Sequence, residues 1–466
     1  MQYAYPETFD LKFKLQKEPK SIGVMMVGWG GNNGTTFTAS LLANQGNITW
    51  EDPRGGTKAP NWLGSLTQCS TAYLGIGGDG KEVYIPWNGL VPLVDVNKIK
   101  VGGWDISKMN MADATARAHV LDIDLQRKLR PLMEPMVPLP SVYDPKFVAS
   151  NQNDRANNVL KGSKSENLEK IIYDIVEFRK NENLDLVIVV WTANTERCCE
   201  IMPGIHDTAE NLFKAIYEDH PEISPSTLFA IAAIKAQCPF INGSPQNTLV
   251  PGCIDFAEKN GIFVAGDDFK SGQTKLKSVL VDFLVGAGLK PMSIMSYNHL
   301  GNNDGKNLSA PEQFRSKEVK LLMKPYQSLY FIGLDLGDSK RAMDEYISEI
   351  MLGGHNTIVI HNVCEDSLLA TPLILDLVVL TEFFGRLRIG STSKTASHLH
   401  SALSILGYFL KAPVGMPGAP VVNALAKQRS ALENLLRACV GLGPVNHMHL
   451  EHRVQIPEFA SCVTSL

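Results

Sequence analysis

The chain has 466 residues, of which 44% are hydrophobic and 20% are charged, and its net charge at pH 7 is −4. This length allows two or three domains with an ample core, and the acidic balance argues against the basic face of a nucleic-acid-binding protein. No apolar run reaches about 18 residues, so we expect no membrane-spanning helix, and the N-terminal residues lack the basic-then-apolar order of a signal peptide.

The first predicted unit is a strand followed by a glycine-rich turn and a helix. Residues 21–27 form a continuous apolar run, which is typical of a strand buried on both faces in a parallel sheet. The turn over residues 28–34 follows, and residues 35–43 have the composition of a helix. This order favours a dinucleotide phosphate site over a bare glycine turn, although Asn33 stands where the usual fingerprint has its third glycine.

A second polar segment, residues 102–107, ends another predicted strand. Asp105 lies in it, where an acid could accept hydrogen bonds from the adenosine moiety of a dinucleotide. The alternative is that Asp105 caps the helix that follows. Residues 112–130 have a helical composition, and residues 131–145 form a proline-rich loop.

Helices and strands alternate through the middle of the chain. The pattern predicts helices over residues 166–180 and 208–218, and strands over residues 184–191, 227–234 and 262–265. Small polar residues follow the strands. The sequence therefore predicts an α/β fold with a doubly wound parallel sheet.

Residues 266–277 combine a strand end, a polar turn and the start of a helix. Ligands bind at such places in α/β enzymes, because the free N–H groups of a helix N-terminus favour anions. Asp267 and Asp268 repel each other there, and a cation or a hydroxyl-rich ligand would offset this repulsion. The alternative is an Asp/Gly turn in which Ser271 caps the helix.

The chain changes character after residue 277. A polar run over residues 298–307 is either an exposed loop or a substrate-binding loop. The sequence predicts further strands over residues 291–297 and 357–361, and helices over residues 341–353, 368–380 (buried) and 428–442.

No Gly-x-Ser-x-Gly, G-x-x-x-x-G-K-[ST] or H-E-x-x-H motif is present, so acyl transfer, nucleotide triphosphate hydrolysis and metalloprotease chemistry have no support. Eight scattered cysteines without a C-x-x-C pair predict a reduced protein without a disulfide framework or a zinc site. Several loop lysines suit a phosphorylated, carbonyl-containing substrate, since one can hold the phosphate and another can stabilise an enolate. For Lys275 and Lys277 we expect solvated surface charges instead.

Ten motifs occur in order along the chain, and this order is far more specific than any single motif. They are Gly-Trp-Gly-Gly-Asn-Asn-Gly (28–34), Gly-Ser-Leu-Thr-Gln (64–68), Trp-Thr-Ala-Asn-Thr-Glu-Arg (191–197), Asn-Gly-Ser-Pro-Gln-Asn-Thr (242–248), Gly-Asp-Asp-Phe-Lys-Ser-Gly-Gln-Thr-Lys (266–275), Ser-Tyr-Asn-His-Leu-Gly-Asn-Asn-Asp-Gly (296–305), Phe-Arg-Ser-Lys-Glu (314–318), Gly-Asp-Ser-Lys (337–340), Cys-Glu-Asp-Ser-Leu-Leu-Ala (364–370) and Leu-Lys-Ala-Pro (410–413). With them the chain resembles myo-inositol-1-phosphate synthase of the eukaryotic type from about residue 21 to about residue 452.

The resemblance implies a Rossmann-type NAD-binding domain over residues 1–272, completed by residues 370–466. Residues 273–369 would form an inserted α/β domain that carries most of the substrate site and the contacts of a homotetramer. The implied reaction converts D-glucose 6-phosphate to 1L-myo-inositol 1-phosphate, the first step of inositol biosynthesis. C5 is oxidised by bound NAD, proton loss from C6 gives an enolate that closes the ring on C1, and the ketone is then reduced, so no net redox occurs.

The resemblance also assigns site residues by motif. The catalytic residues would be Lys317, Lys340, Lys411, Asp338 and Asp366, and the substrate would be lined by Ser271, Asn298, Leu300, Asn302 and Asp304. NAD would be held by Gly28, Gly30, Gly31, Asn32, Asn33, Asp105, Ser141, Thr192, Ala193 and Asp268. We expect no metal ligand, no nucleic acid and no membrane partner, and a cytoplasmic location.

One segment departs from the family pattern. Leu321 stands where the family has a second functional lysine after Lys317, and the spacing to Gly337 is about twenty residues shorter than in the family. Lys320 and Lys324 are candidates to replace the missing lysine. Two hypotheses therefore stay open beside the synthase: an NAD-dependent sugar-phosphate dehydrogenase, and a weakly active or inactive NAD-binding family member.

Overall fold

The computed structural model describes residues 10–79, 81–300, 303–322, 328–332, 338–391, 395–416, 418 and 424–445, with the backbone alone at residues 300, 317–322 and 328–332. Its strands are β1 (Leu11–Leu15), β2 (Ile22–Val27), β3 (Trp50–Glu51), β4 (Thr57–Lys58), β5 (Thr71–Ile76), β6 (Glu82–Pro86), β7 (Lys100–Asp105), β8 (Leu139–Pro140), β9 (Leu186–Trp191), β10 (Phe240–Asn242), β11 (Val264–Ala265), β12 (Lys290–Leu300), β13 (Ser328–Ile332), β14 (Ser339–Glu349), β15 (His355–Glu365) and β16 (Leu387–Ser391).

The helices that connect and cover these strands follow the predicted alternation in most places. They are α1 (Asn32–Gln45), α2 (Leu66–Cys69), α3 (Trp87–Leu90), α4 (Met111–Ala118), α5 (Ile123–Met133), α6 (Lys164–Asn181), α7 (Ala209–Tyr217), α8 (Pro225–Lys235), α9 (Pro251–Asn260), α10 (Gly272–Gly286), α11 (Asn303–Asn307), α12 (Pro311–Leu322), α13 (Asp366–Arg386) and α14 (Leu425–Cys439).

The larger sheet is parallel and confirms the predicted doubly wound α/β fold. Its strands lie in the order β11-β10-β9-β2-β7-β8. Every residue of β2 is buried, as its continuous apolar run predicts, because both faces of the sheet are covered. The strand order reverses at β2, which pairs with β7 on one side and β9 on the other. Ligands of open α/β sheets bind in the crevice that such a reversal leaves at the carboxyl ends of the strands.

The predicted strand over residues 227–234 is wrong. These residues lie in helix α8, and the sheet takes its next strand from β10 instead. Ser224 accepts a hydrogen bond from the amide of Thr227 and so caps α8, and Pro225 stands in its first turn. Almost all of α8 is buried, so its apolar run lacks helical periodicity. The cap and the proline were the usable signals.

The smaller sheet has the order β13-β12-β14-β15, and helix α10 packs on one of its faces. The predicted helix over residues 341–353 is wrong, because most of these residues belong to β14, which pairs antiparallel with β12 and β15. Ala342, Asp344, Tyr346 and Ser348 are the buried alternate residues of β14. A carboxylate among them obscures the apolar–polar alternation that predicts a strand.

Helix α13 crosses the core beside α1 and confirms the buried helix predicted over residues 368–380. Its 21 residues are long and apolar enough to cross a membrane, although Thr371, Pro372 and Asp376 interrupt its apolar run. The most apolar stretch of α13 is 83% buried inside the protein. Such burial is what the core helix of a folded domain shows.

Residues 266–270 join the larger sheet to α10. They run antiparallel to residues 409–414, with a bridge between Phe269 and Leu410 and backbone hydrogen bonds of 2.6–3.2 Å along both segments. Because α10 begins directly after this pairing, one backbone arrangement fixes both Ser271 and Lys411.

Candidate active site

A cleft opens at the carboxyl ends of the parallel strands. Residues directly after β2, β7, β8, β9 and β10 form its walls, together with residues from β14, α13 and residues 266–271. The space between its walls, including open solvent at the mouth, is about 1380 Å³. Its lining extends from the glycine turn after β2 to Ser271 and Lys340, so a dinucleotide at the turn and a second ligand would share one cleft.

Most of the site residues assigned from the sequence meet in this cleft. Its lining includes Gly28, Gly31, Asn32, Asn33, Asp105, Ser141, Thr192, Ala193, Asp268, Ser271, Asp304, Lys340, Asp366 and Lys411. Gly30, Asp338 and Asn298 are described but are not part of the lining. Asn302 lies outside the described residues, as do the side chains of Leu300 and Lys317.

The glycine turn after β2 approaches its neighbours too closely for side chains. Gly28 has a φ of +83°, and a Cβ there would lie 2.5 Å from the Cα of Ala193. A Cβ at Gly30 would lie 3.2 Å from a carboxylate oxygen of Asp105. Glycine at these two positions therefore allows the turn to pack closely against Ala193 and Asp105.

The N-terminus of α1 fits the pyrophosphate of a dinucleotide. Gly31 is its N-cap and gives no side-chain cap. Within the described part of the chain, the amides of Asn32 and Asn33 have no protein acceptor, and both residues line the cleft. Uncapped amides at the positive end of a 14-residue helix form a ready site for a phosphate anion.

Asp105 is the last residue of β7 and lies beside Gly30 of the glycine turn. It is 4% exposed, and its carboxylate accepts a hydrogen bond of 2.8 Å from the amide of Ser107. Burial raises the pKa of Asp105, while the Ser107 amide and the charges of Arg155 and Arg117 act in the opposite direction. Arg117 donates to the carbonyl of Gly30 at 2.6 Å, and both arginines line the cleft. Sequence reasoning missed this arginine pair, whose members lie in α4 and in a separate 3-10 helix over Ser150–Arg155.

Asp268 and Lys411 form an ion pair of 2.9 Å inside the cleft. Asp268 has a φ of +62°, a left-handed conformation that costs roughly 1–2 kcal/mol for a residue with a side chain. The pairing of residues 266–270 with residues 409–414 holds this conformation. The result is an ammonium group fixed at the boundary between the cofactor end and the other half of the cleft.

Asp338 connects the two helices whose N-termini meet at the cleft. Its carboxylate accepts hydrogen bonds from the hydroxyl (2.6 Å) and amide (2.9 Å) of Ser367 in α13 and from the side chain of Asn32 in α1 (3.3 Å). Burial raises the pKa of Asp338. Its neighbour Asp366 lines the cleft and lies 3.5 Å from the hydroxyl of Ser271.

The smaller sheet supplies the remaining predicted residues. Lys340 lines the cleft from β14. Asn298 pairs with Ala342 on the neighbouring strand, is 1% exposed, and has neither amide atom hydrogen-bonded. A buried amide of this kind requires a partner other than the described protein atoms, such as a bound water or a ligand. Asp304 instead accepts hydrogen bonds from the amide (2.7 Å) and hydroxyl (2.9 Å) of Thr195.

Lysines 270, 275 and 277 are not surface charges. Lys270 is fully buried, and its ammonium donates to the carbonyl of Gly407 and the side chain of Gln428 at 3.1 Å each. The expectation of solvated charges for Lys275 and Lys277 is wrong. Lys275 lies 4.4 Å from the ring centre of Tyr408, and burial lowers its pKa to about 8. Lys277 packs against a buried carboxylate.

Glu196 is a buried acid that sequence reasoning left without a role. It lines the cleft, is 1% exposed, and accepts hydrogen bonds from the hydroxyl (2.5 Å) and amide (3.2 Å) of Ser226 in the first turn of α8. Burial raises the pKa of its carboxyl from 4.5 to about 8. Its position inside the motif 191–197 was the available signal.

This raised pKa predicts a stability that depends on pH. Between pH about 4.5 and pH about 8 the folded chain holds a proton on Glu196 that the unfolded chain releases, so its contribution to the free energy of unfolding falls as the pH rises through this range. Glu196→Gln carries no such proton. In calorimetry, the Tm of the wild type minus that of Glu196→Gln should be larger at pH 5.5 than at pH 8.5. An equal difference at both pH values would contradict the assignment.

Comparison with known proteins identifies the family. The profile of the family described as myo-inositol-1-phosphate synthase matches residues 22–437. The chain belongs to the myo-inositol-1-phosphate synthase family. The matched family is an NAD-binding one, which agrees with the glycine turn and the uncapped α1, and NAD is therefore the cofactor of this family member.

Relatives of the family resemble the chain over almost its whole length. Inositol-3-phosphate synthase 1 of Populus euphratica is 54% identical over 467 residues, which cover 96% of this chain and 91% of the relative. The enzyme of the same name from Rattus norvegicus is 54% identical over 471 residues, covering 97% and 84%. The crystal structure of inositol-3-phosphate synthase from Caenorhabditis elegans is 47% identical with a TM-score of 0.92, covering 96% of this chain and 91% of that one.

Proposed function

We propose that this family member converts D-glucose 6-phosphate to 1L-myo-inositol 1-phosphate with bound NAD. The observation that carries the proposal is a single cleft with a dinucleotide site at its glycine turn and with Lys340, Lys411 and Ser271 in its other half. The 54% identity to enzymes named inositol-3-phosphate synthase supports the same reaction.

The chemistry that bound NAD supplies is reversible hydride transfer. The chain's own residues must hold the sugar and stabilise the negative charge that develops on its oxygens. Lys340 and Lys411 are the cleft cations suited to this role, because a fixed ammonium aimed at a developing oxyanion lowers the barrier. Asp268 holds Lys411 at 2.9 Å and so fixes its direction. Lys317 lies in α12, and its assignment as catalytic rests on its motif.

The phosphate of the substrate suits the space between α10 and β14. Ser271 is the N-cap of α10, and its hydroxyl makes no capping hydrogen bond. Ser271 and Lys340 both line the cleft, and the unpartnered amide of Asn298 lies beside Lys340 on the sheet. An uncapped helix N-terminus facing a lysine is the arrangement that favours a phosphate.

An assay of the purified protein tests the proposal. With NAD⁺ and glucose 6-phosphate we expect inositol phosphate to form without net accumulation of NADH, and Lys317→Ala should abolish this turnover. Accumulation of NADH would support a sugar-phosphate dehydrogenase. NAD binding without turnover would support an inactive family member, and restoring a full-length segment after Lys317 should then rescue activity.

We further propose residues 273–369 as the domain of assembly, inserted between residues 1–272 and 370–466. The sheet face opposite α10 carries exposed apolar side chains, among them Met343, Val359 and Val363, which are 48%, 57% and 54% exposed. Exposed apolar patches of this kind mark protein interfaces, and a homotetramer would cover them. The free thiols of the described cysteines support the cytoplasm as the compartment.

A charge on this face should therefore break the assembly. We expect Val359→Lys to reduce the mass measured by light scattering from that of a tetramer to that of a smaller species, because the interface would have to bury an ammonium group whose hydration a pair with its strand partner Glu345 does not fully replace. Ile123→Lys is the control, since Ile123 is 65% exposed in the proposed NAD-binding domain. A tetrameric Val359→Lys protein, or a wild type that is not a tetramer, would contradict the proposal.

A further inference from the structure

A buried carboxylate joins α10 to the smaller sheet. Asp344, on β14, is 2% exposed. It accepts a hydrogen bond of 2.6 Å from the side chain of Gln273 in the first turn of α10 and another from the hydroxyl of Ser296 on β12. The ammonium of Lys277, one turn further along α10, lies 3.6 Å from the same carboxylate. Three side chains from two elements thus converge on one acid.

This network adjoins the candidate phosphate site. Lys340 and Asp344 lie four residues apart on β14, so their side chains share one face of the sheet. Ser296, which pairs with Asp344, lies two residues from Asn298 on that same face. On the helix side, Gln273 follows Ser271 by two residues. A Cβ on Gly272 would lie 3.3 Å from the sulfur of Cys364, the strand partner of Lys340.

We infer that Asp344 is a positioning residue that sets the distance between the first turn of α10 and the sheet, and thereby the width of the phosphate site. This inference rests on the proposed function. The phosphate must contact the α10 N-terminus on one side and Lys340 on the other, and the network of Asp344 is a polar connection between these two sides. The NAD end of the cleft is built on the larger sheet and does not involve Asp344.

The carboxylate is required because it receives donors from both sides at once. Gln273, Ser296 and Lys277 all approach the same oxygen of Asp344, Oδ1. Asp344→Asn keeps an oxygen there as an acceptor but removes its negative charge. Without that charge, the hydrogen bonds from Gln273 and Ser296 weaken and the attraction between Asp344 and Lys277 is lost. The first turn of α10 should then shift away from the sheet, and misplacement of a substrate-holding group by about 1 Å costs up to about 100-fold in rate.

The test separates substrate binding from cofactor binding. We expect Asp344→Asn to raise the KM for glucose 6-phosphate and the inhibition constant of inorganic phosphate in parallel, by about tenfold each, with a smaller fall in kcat. The affinity for NAD⁺, measured by titration of the intrinsic fluorescence, should stay within twofold. Lys277→Met tests the same carboxylate from the helix side and should give the same pattern.

Glu349→Gln provides the matched control. Glu349 is also a carboxylate on β14 paired with a lysine, Lys290 at 3.0 Å, but this pair is exposed and lies at the other end of the strand. The KM of Glu349→Gln for glucose 6-phosphate should not change.

The double variant Asp344→Asn with Lys277→Met tests whether the two residues act as one pair. Its effect on KM should be smaller than the product of the two single effects, because each single change breaks the same pair.

Two results would overturn the inference. The first is an unchanged KM for glucose 6-phosphate in Asp344→Asn and Lys277→Met, even if their Tm falls, since Asp344 would then only stabilise the fold. The second is an equal loss of NAD⁺ affinity. If the wild type forms no inositol phosphate, the proposed function fails. The role of Asp344 can still be decided by a thermal-shift assay that compares the affinity for inorganic phosphate of the wild type with that of the variants.

Discussion

Lys340→Ala is expected to lower the kcat for inositol phosphate formation by about 10²–10³-fold, the usual loss when one group that stabilises a developing oxyanion is removed. Lys340 lines the cleft at the end of β14, where its strand partner Cys364 and the α10 N-terminus enclose it. Water that fills the place of the ammonium cannot supply a fixed positive charge. The loss should therefore appear in kcat as well as in KM.

Single-turnover measurements with NAD⁺ and glucose 6-phosphate check this expectation directly. Lys290→Ala is the matched control, because Lys290 is a lysine of the neighbouring strand β12 that pairs with Glu349 at the protein surface. Its kcat should equal that of the wild type. If Lys340→Ala keeps more than about a tenth of the wild-type kcat, Lys340 does not act on the reacting oxygens and serves the phosphate alone.

The sequence predicted the part of the fold in which local pattern and tertiary burial agree. β2 and β9 are continuous apolar runs followed by polar residues, and this pattern by itself places Gly28 and Thr192 at one edge of a parallel sheet. β10 has only three residues, too short for any periodicity, so the sequence pattern favours the neighbouring apolar run of α8 as the strand. Short central strands are defined by their partners more than by their own residues.

The sequence predicts the site residues that belong to a motif, but not the contacts that only the folded chain brings together. Asp268 and Lys411 come from separate motifs, yet the antiparallel pairing that brings them to 2.9 Å has no signal in either segment. Arg117 and Arg155 reach Asp105 from different elements. The role of Asp344 depends on the register of β12 against β14, which a sequence that reads as a helix does not reveal.

The glycine turn gives the second large effect, a loss of NAD⁺ affinity of about 100-fold in Gly28→Ala. The backbone of Gly28 has a φ of +83°, and a Cβ would lie 2.5 Å from the Cα and 2.7 Å from the amide nitrogen of Ala193. Both obstacles are backbone atoms that no side-chain rotation can clear, so the turn or the loop after β9 must move. A displacement that costs about 3 kcal/mol in the NAD-bound geometry corresponds to roughly this factor.

Gly55→Ala separates the steric effect from the backbone strain. Gly55 has a φ of +79°, almost the same conformation, but no atom lies within 4 Å of its Cβ position, and it is not part of the cleft lining. Both variants place an alanine in the left-handed conformation, and this strain should lower the Tm of both by a similar amount. Only Gly28→Ala should lose NAD⁺ affinity in calorimetric titration. Equal NAD⁺ affinities in the two variants would show that the close approach of the turn to Ala193 does not form the cofactor site.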